Sequence, residues 1–521
     1  MNVNLCDLPT ELLTNILLKL DFLSLLRVQP VNRLIYAIIK EHKVLQYTIE
    51  LGIAGMVDGP ADASLTTEER LRGLEHYQKM WRHLTWSKHD VIPMEGGNIW
   101  ELAGGVLAQG KPPTQIGSTD MVFNQLPSPT RRIEARSWSL HFDVHVRDFT
   151  IDPFQDLIVL ISETYVQASE DWCISLHFRT MSSNHNHPLA KAPLIRCSVP
   201  DSPGSYVIAV CQTYVGLLCS MSMRNFEVDG SDMRFFIWDW CTGQVQVDQA
   251  EDIYSFAFLS NRHVLIAIPT REDPPEDTEV SAALVIVDFQ KRAALSSQTC
   301  FVVSSFHLPE ISEGFGIRDV LIRSDPSFSF GQQGDDSTPS APFQLSPENR
   351  IFVITFELSN TRKRPILVVP LSTFVPHLNN VPVESSISER WRQLGVRWSD
   401  WGSQGSRMLT LHNPLSLTWV CYVYGSRFVY HTPGNGLSMV FDFNPWSVHS
   451  KPDDRSEMRV INWPTTINLD HFSERVTTHL PFTAIMIHGI DRSFTSAGML
   501  TEDHLITVDD LTQREFHVHV F

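Results

Sequence analysis

The chain has 521 residues and a mass of 59.2 kDa, with 43% apolar and 19% charged residues. That length exceeds one ordinary domain, and that balance fits a folded globular protein. A net charge of -18 at pH 7 repels phosphate backbones and anionic bilayers, and no basic patch offsets it, so neither nucleic acid nor a membrane is expected as a partner.

The first forty residues are crowded with apolar side chains, in LCDLPTELLTNILLKLDFLSLLRVQPVNRLIYAII (5–39). No cation precedes this stretch, and Asp7, Glu11, Lys19, Asp21 and Arg27 interrupt it, so it does not read as a secretory signal. The same charges, with Pro9 and Pro30, deny it the length of a membrane span. Leu12, Leu13, Ile16, Leu17 and Leu20 recur at helical spacing, with Leu8 at the entry and Pro9 and Glu11 suited to a first turn. Ser24 is placed to cap a second short helix over Leu25 to Gln29, closed by Pro30. A third runs from about Val31 to Lys40, with Val31, Leu34, Ile35, Ile38 and Ile39 apolar. Three helices this short cannot bury so much apolar surface among themselves, which points to a docking surface.

GMVDGPADAS (55–64) reads as a hinge or loop, and TTEERLRGLEHYQKMWRHL (66–84) as an amphipathic helix. In that helix Leu71, Leu74, Tyr77, Met80, Trp81 and Leu84 share a face, and Thr67 is a candidate cap. After Trp86 the apolar period falls to two, in runs such as DLIVLIS, RFFIWDW, HVLIAI, RIFVITFEL and FHVHVF, separated by turn residues without a recurring helix. An antiparallel all-β region follows.

One signature repeats in it: apolar residues flanking an aspartate, at Ile237-Trp238-Asp239-Trp240, Ile286-Val287-Asp288-Phe289 and Val440-Phe441-Asp442-Phe443, with a weaker echo ending at Asp509. The first two aspartates are about 49 residues apart and the next about 154, close to three such periods, the spacing of four-stranded propeller blades. The chain's last strand, REFHVHVF, suits the closing strand of such a ring, and about seven blades are expected. On periodicity alone the alternative is a pair of β-sandwiches. Asn98 to Gly110 is a candidate outer strand of the closing blade. Three apolar-poor segments, beginning at Lys111, Pro269 and Ser324, read as surface loops.

Chemistry is not visible in the sequence. Eight scattered cysteines, without a CxxC pair, read as free thiols. His185 and His187 form a His-x-His pair with no further zinc ligands at metal-site spacing, and read as a polar loop; His517 and His519 read as exposed strand residues. GNG at Gly434 to Gly436 lacks the third glycine of a dinucleotide site, and no nucleophile elbow, phosphate loop or HExxH occurs. No catalytic, cofactor-binding or metal residue is expected.

The order LPTELLTNILLKL, then SLLRV, then VNR resembles the F-box, with Ile35 and its neighbour Tyr36 where that family commonly has a tryptophan. FFIWDWCTGQV is similar to the closing part of a WD-repeat blade. The resemblance implies an α+β multidomain chain: an F-box over 1–50, a helical linker over 51–90, and a β-propeller-like recognition domain over 91–521. It also implies attachment to the Skp-type adaptor and cullin of a ubiquitin ligase in the cytoplasm or nucleus, with a protein substrate of unknown identity. Leu8, Pro9, Leu12, Ile16, Leu17, Leu20, Leu25, Leu26 and Val28 would then supply the adaptor contacts. The expected role is non-catalytic substrate recognition. A propeller hydrolase, with acids meeting across the channel, and a scaffold outside any ligase are the alternatives.

Overall fold

The computed structural model describes residues 5–60, 65–113, 119–221, 233–270, 281–291, 299–327, 341–359, 361, 364–387, 395–411, 420–432, 437–449, 458–467, 471–488, 496–509 and 513–521. Helices α1 (Thr10–Leu17), α2 (Phe22–Val28), α3 (Arg33–Glu41) and α4 (Lys43–Ala54) form the N-terminal unit. The second helix begins three residues earlier than its sequence suggests, because Asp21 rather than Ser24 is the cap: its Oδ1 accepts the Ser24 N–H at 2.7 Å. Asn32 caps α3 in the same way, accepting from Leu34 N–H at 2.7 Å.

Helix α4, which the sequence reading did not separate from its neighbours, faces two ways. Its Leu45 and Ile49 join Leu13, Leu17, Leu25, Ile35, Ile38 and Ile39 in the helical core, while its Tyr47 and Leu51 enter the core of the β-domain. A helix buried on two faces belongs to both units.

The segment after it is not a free hinge. Met56–Asp58 is a strand pairing antiparallel with Phe343–Leu345, inside the stretch from Ser324 expected to be a loop. Arg70, 6% exposed, fastens this pair to helix α5 (Thr67–His83), donating to the Asp58 carboxylate at 2.7 Å and to the carbonyls of Pro60 and Pro342. The cap of α5 is Thr66, one residue before the expected Thr67, in a reciprocal capping box with Glu69.

The remainder is a seven-blade β-propeller. Each blade is built on antiparallel strands running outward from an innermost strand, in the order Trp100–Ala103 (blade 1), Asp148–Asp152, Pro203–Cys211, Ser255–Phe258, Ile317–Arg323, Val423–Tyr424 and Ala497–Leu500 (blade 7), and only in the fourth does a short strand, Gly395–Val396, add in parallel among the described residues. Separate sheets around one axis exclude two sandwiches. Ring closure joins distant parts of the chain: the outermost strand of blade 7 is Lys88–Pro93, paired antiparallel with Glu515–Val520. The expected domain boundary at 90/91 therefore falls inside a strand. Asn98 to Gly110 does not supply the closing strand. It is the first hairpin of blade 1, turning at Gly104 and Gly105, both at positive φ as a two-residue hairpin turn requires.

Other loop expectations need correction. Within the segment from Lys111, Thr119–Gln125 is the third strand of blade 1, with Met121 and Phe123 fully buried. Residues 271–280, most of the loop expected from Pro269, and the GNG at 434–436 lie outside the described residues.

The repeated aspartates have a local cause. Asp239, Asp288 and Asp442 each end the third strand of a blade. Asp239 Oδ1 accepts the N–H groups of Cys241 and Thr242, and Asp442 Oδ1 that of Asn444, turning the chain toward its next strand. Asp288 instead receives the Arg262 guanidinium at 2.8 Å. The echo at Asp509 ends a second strand, so it is not the same feature.

Candidate adaptor-docking surface

Helix α1 is apolar on two sides. Leu13 and Leu17, four residues apart, are 2% and 4% exposed and pack inward; Leu12 and Ile16, also four apart, are 49% and 42% exposed. The inner pair suffices for the small helical core, so the outer pair keeps apolar surface in water, as an interface does before its partner arrives.

Pro9 is exposed, and Leu8, Leu20, Leu26 and Val28 are half-buried against the core. Leu17 and Leu25 lie inside it, Leu25 with no exposed surface, so they support the surface without forming it. Among the described residues of the helical unit, exposed apolar side chains that were not among the expected contacts are Leu5, Leu18, Val31, Leu34, Tyr36 and Val44. The surplus of apolar positions on α3 was the available signal. Ile35, Ile38 and Ile39 fill its inner face, leaving Leu34 outside.

The N-terminal unit sits at one end of the propeller, where the innermost strands finish. Tyr77 of α5 donates to the carbonyl of Glu502, just past the end of Ala497–Leu500, and Asn444 donates to the Ile53 carbonyl of α4. Phe22 of α2 meets Trp446 edge-on, ring centroids 5.6 Å apart. The docking helices are thus held by α4 and α5 against the propeller.

Among the described residues, no three His, Cys, Asp or Glu side chains come together as metal ligands. His187 is not in a solvated loop: it is 4% exposed, its Nε2 bonds the Gln155 carbonyl, and its ring packs edge-on against Trp240. His519 is likewise buried, 5% exposed, and stacks on His89 of the closing strand with centroids 4.8 Å apart. Every described cysteine side chain is a free thiol.

The F-box domain family matches residues 5–47. No curated protein matches the chain. Among solved structures, the WD40 domain of SCAP from fission yeast is similar at 7% identity, over 80% of this chain and 82% of that one, with a TM-score of 0.31. Cobalt-substituted apocarotenoid oxygenase (ACO) from Synechocystis is similar at 9% identity, over 58% of this chain and 63% of that one, with a TM-score of 0.24. A Glu150Gln mutant of the same oxygenase is similar at 8%, over 63% and 65%, again with a TM-score of 0.24. The chain thus spans less than two thirds of those oxygenase chains. At such scores the propeller rests on its own strand order. Together the matched segment and the sheet order identify the chain as one that carries an F-box domain at residues 5–47 in front of a seven-blade β-propeller.

Proposed function

We propose that the protein is the substrate-recognition subunit of a Skp–cullin–F-box ubiquitin ligase and does no bond-making itself. The observation that carries this reading is the exposed apolar face of Leu5, Leu12 and Ile16 on an F-box domain whose core is already full. An exposed aliphatic face of this kind, which a partner would desolvate, suits an adaptor. The propeller end remote from the helices, where the innermost strands begin, is the face free to hold a target protein. Because α4 and α5 are packed into both units, a bound target keeps a fixed distance from the adaptor. Its lysines are thereby concentrated near the activated ubiquitin.

The test is affinity purification of the full chain from cells, with Ile16→Asp as its counterpart. The intact chain should bring a Skp-type adaptor, a cullin and a target whose abundance rises when the gene is silenced. Ile16→Asp should lose adaptor and cullin and keep the target. An Ile16→Asp chain that retains the adaptor undiminished would sink the reading.

A further inference from the structure

The propeller encloses a central cavity of about 160 Å³, close in size to an engineered cavity that holds a benzene ring. One end is obstructed by the chain itself. After Ile317–Arg323 the segment Ser324 to Ser327 lies across the ends of other innermost strands. Ser327 Oγ donates to the Val210 carbonyl, the Gly425 N–H donates to the Asp325 carbonyl, and Arg350 donates to the carbonyls of Phe258, Leu259 and Pro326. A ligand must therefore enter from the end away from the F-box helices.

The cavity wall carries buried acids. Glu101 and Asp325 line it, with Asp148 near Glu101 and Arg323 the cation in the wall; Glu101 accepts the Leu102 N–H and Asp148 the Phe149 N–H, and among the described residues no ion pair joins any of the four. Burial, then the Asp325 and Asp148 carboxyls, pushes Glu101 up to about 8; burial raises Asp325 and Asp148 each to about 6. Independently of the acids, the side chain of Thr150, which lines the cavity and is 8% exposed, has no hydrogen bond among the described residues. A hydroxyl in such a place is ordinarily paired. Thr150 is held there by strand alternation: its neighbours Phe149 and Ile151 enter the inter-blade core.

We propose that this cavity binds an alkylammonium group, with the Glu101 and Asp325 carboxylates as its anionic partners and the Thr150 hydroxyl oxygen as a further acceptor. An ammonium offers three donors on an apolar stem, matching two carboxylates and one hydroxyl on a wall that also includes the apolar Leu102, Val210, Phe256 and Ile322. A bare metal ion fits less well, since among the described residues no three ligating side chains converge. The ammonium can belong to a free amine or to a lysine side chain of a bound protein segment. The inference goes beyond the ligase reading and rests on no part of it.

The test uses the full chain and four probes followed by calorimetry and by protein NMR: n-butylammonium, the neutral isostere n-butanol, a lysine blocked at both backbone ends, and sodium chloride at matched ionic strength. Butylammonium should bind saturably, and butanol and sodium should not. Glu101→Gln and Asp325→Asn should each weaken binding about tenfold or more, and Thr150→Val by a smaller factor. Binding should tighten from pH 6.5 to 8.5 as Glu101 gives up its proton, with Asp148 and Asp325, at about 6, already mostly ionised, the Arg323 and Arg350 guanidiniums facing the same acids, and Cys421 protonated throughout. Thermal midpoints of the variants establish that they are folded. Entry of the blocked lysine assigns the site to a side chain of a partner protein; its exclusion alongside bound butylammonium assigns it to a free amine. Equal responses to butylammonium and butanol, or unchanged binding by folded Glu101→Gln and Asp325→Asn, would mean that the cavity holds only water and the proposal is wrong.

Discussion

Trp81 of helix α5 lies flat against Phe521, with ring centroids 4.0 Å apart and the rings 22° from parallel, while the Arg427 guanidinium covers the tryptophan at 4.4 Å. A helix that precedes the propeller in sequence is therefore part of its core. Trp81→Ala should destabilise the β-domain by about 3–5 kcal/mol, the usual cost of emptying a buried aromatic site. Chemical denaturation followed by intrinsic fluorescence and by far-ultraviolet dichroism checks it. A loss below about 1 kcal/mol would mean that α5 rests on the propeller without supporting it.

Fragment boundaries follow from the same packing. A chain starting at Val91 lacks α5 and half of Lys88–Pro93, which leaves Glu515–Val520 with an open edge and the Trp81 site empty. It should aggregate. A chain starting near Gly55 keeps Met56–Asp58, α5 and the closing strand, and should stay monomeric and β-rich. Size-exclusion chromatography of the two decides it; a monomeric, cooperatively melting Val91 fragment would contradict the account.

On the F-box domain the two stripes of α1 separate binding from folding. Leu17→Ala, at 4% exposure, should cost about 2–5 kcal/mol of helical-unit stability and lose the adaptor only through unfolding. Ile16→Asp, at 42% exposure, should leave the helical signal and its melting within about 0.5 kcal/mol and still abolish adaptor binding. If both variants melt early, Ile16 belongs to the core rather than to the surface.

Acid should loosen the ring at its closure. Burial, and then the neighbouring His89 and His517, lower His519 to about 4, so the folded state holds a neutral imidazole that the unfolded chain would protonate near 6.5. The contribution is complete above about pH 6.5 and is lost progressively as pH falls toward 4, up to about 3 kcal/mol in all. His519→Phe keeps a ring against Trp86 and His89 and removes the titration. Its stability should fall less steeply than that of the parent between pH 6.5 and 4; identical slopes in urea titrations would rule out His519 as the source.

What the sequence disclosed divides by distance along the chain. The α1 to α3 region was legible because its caps, prolines and apolar spacing are local, and so was the all-β region, whose alternation survives within each strand. Lys88–Pro93 was missed because it opens on three polar residues, Lys88, His89 and Asp90, and its Val91 pairs with His517, more than four hundred residues on. Phe343–Leu345 was hidden for a like reason: its partner is Met56–Asp58. Burial of His187 and His519 depends on Trp240 and His89, supplied by other strands. Glu101 looks like an ordinary acid in GNIWELAGG until the fold brings Asp325 near it.

The pairing of His89 with His519 also orders events during synthesis. A ribosome adding about 5–20 residues per second needs roughly 20 to 90 seconds to travel from one to the other. Throughout that interval the four N-terminal helices have emerged and their small core can form, while the outer strand of blade 7 waits for the three strands it must clasp. Nascent chains therefore pass through a stage with a finished helical head and an unclosed ring, whose bare strands are what holding chaperones recognise.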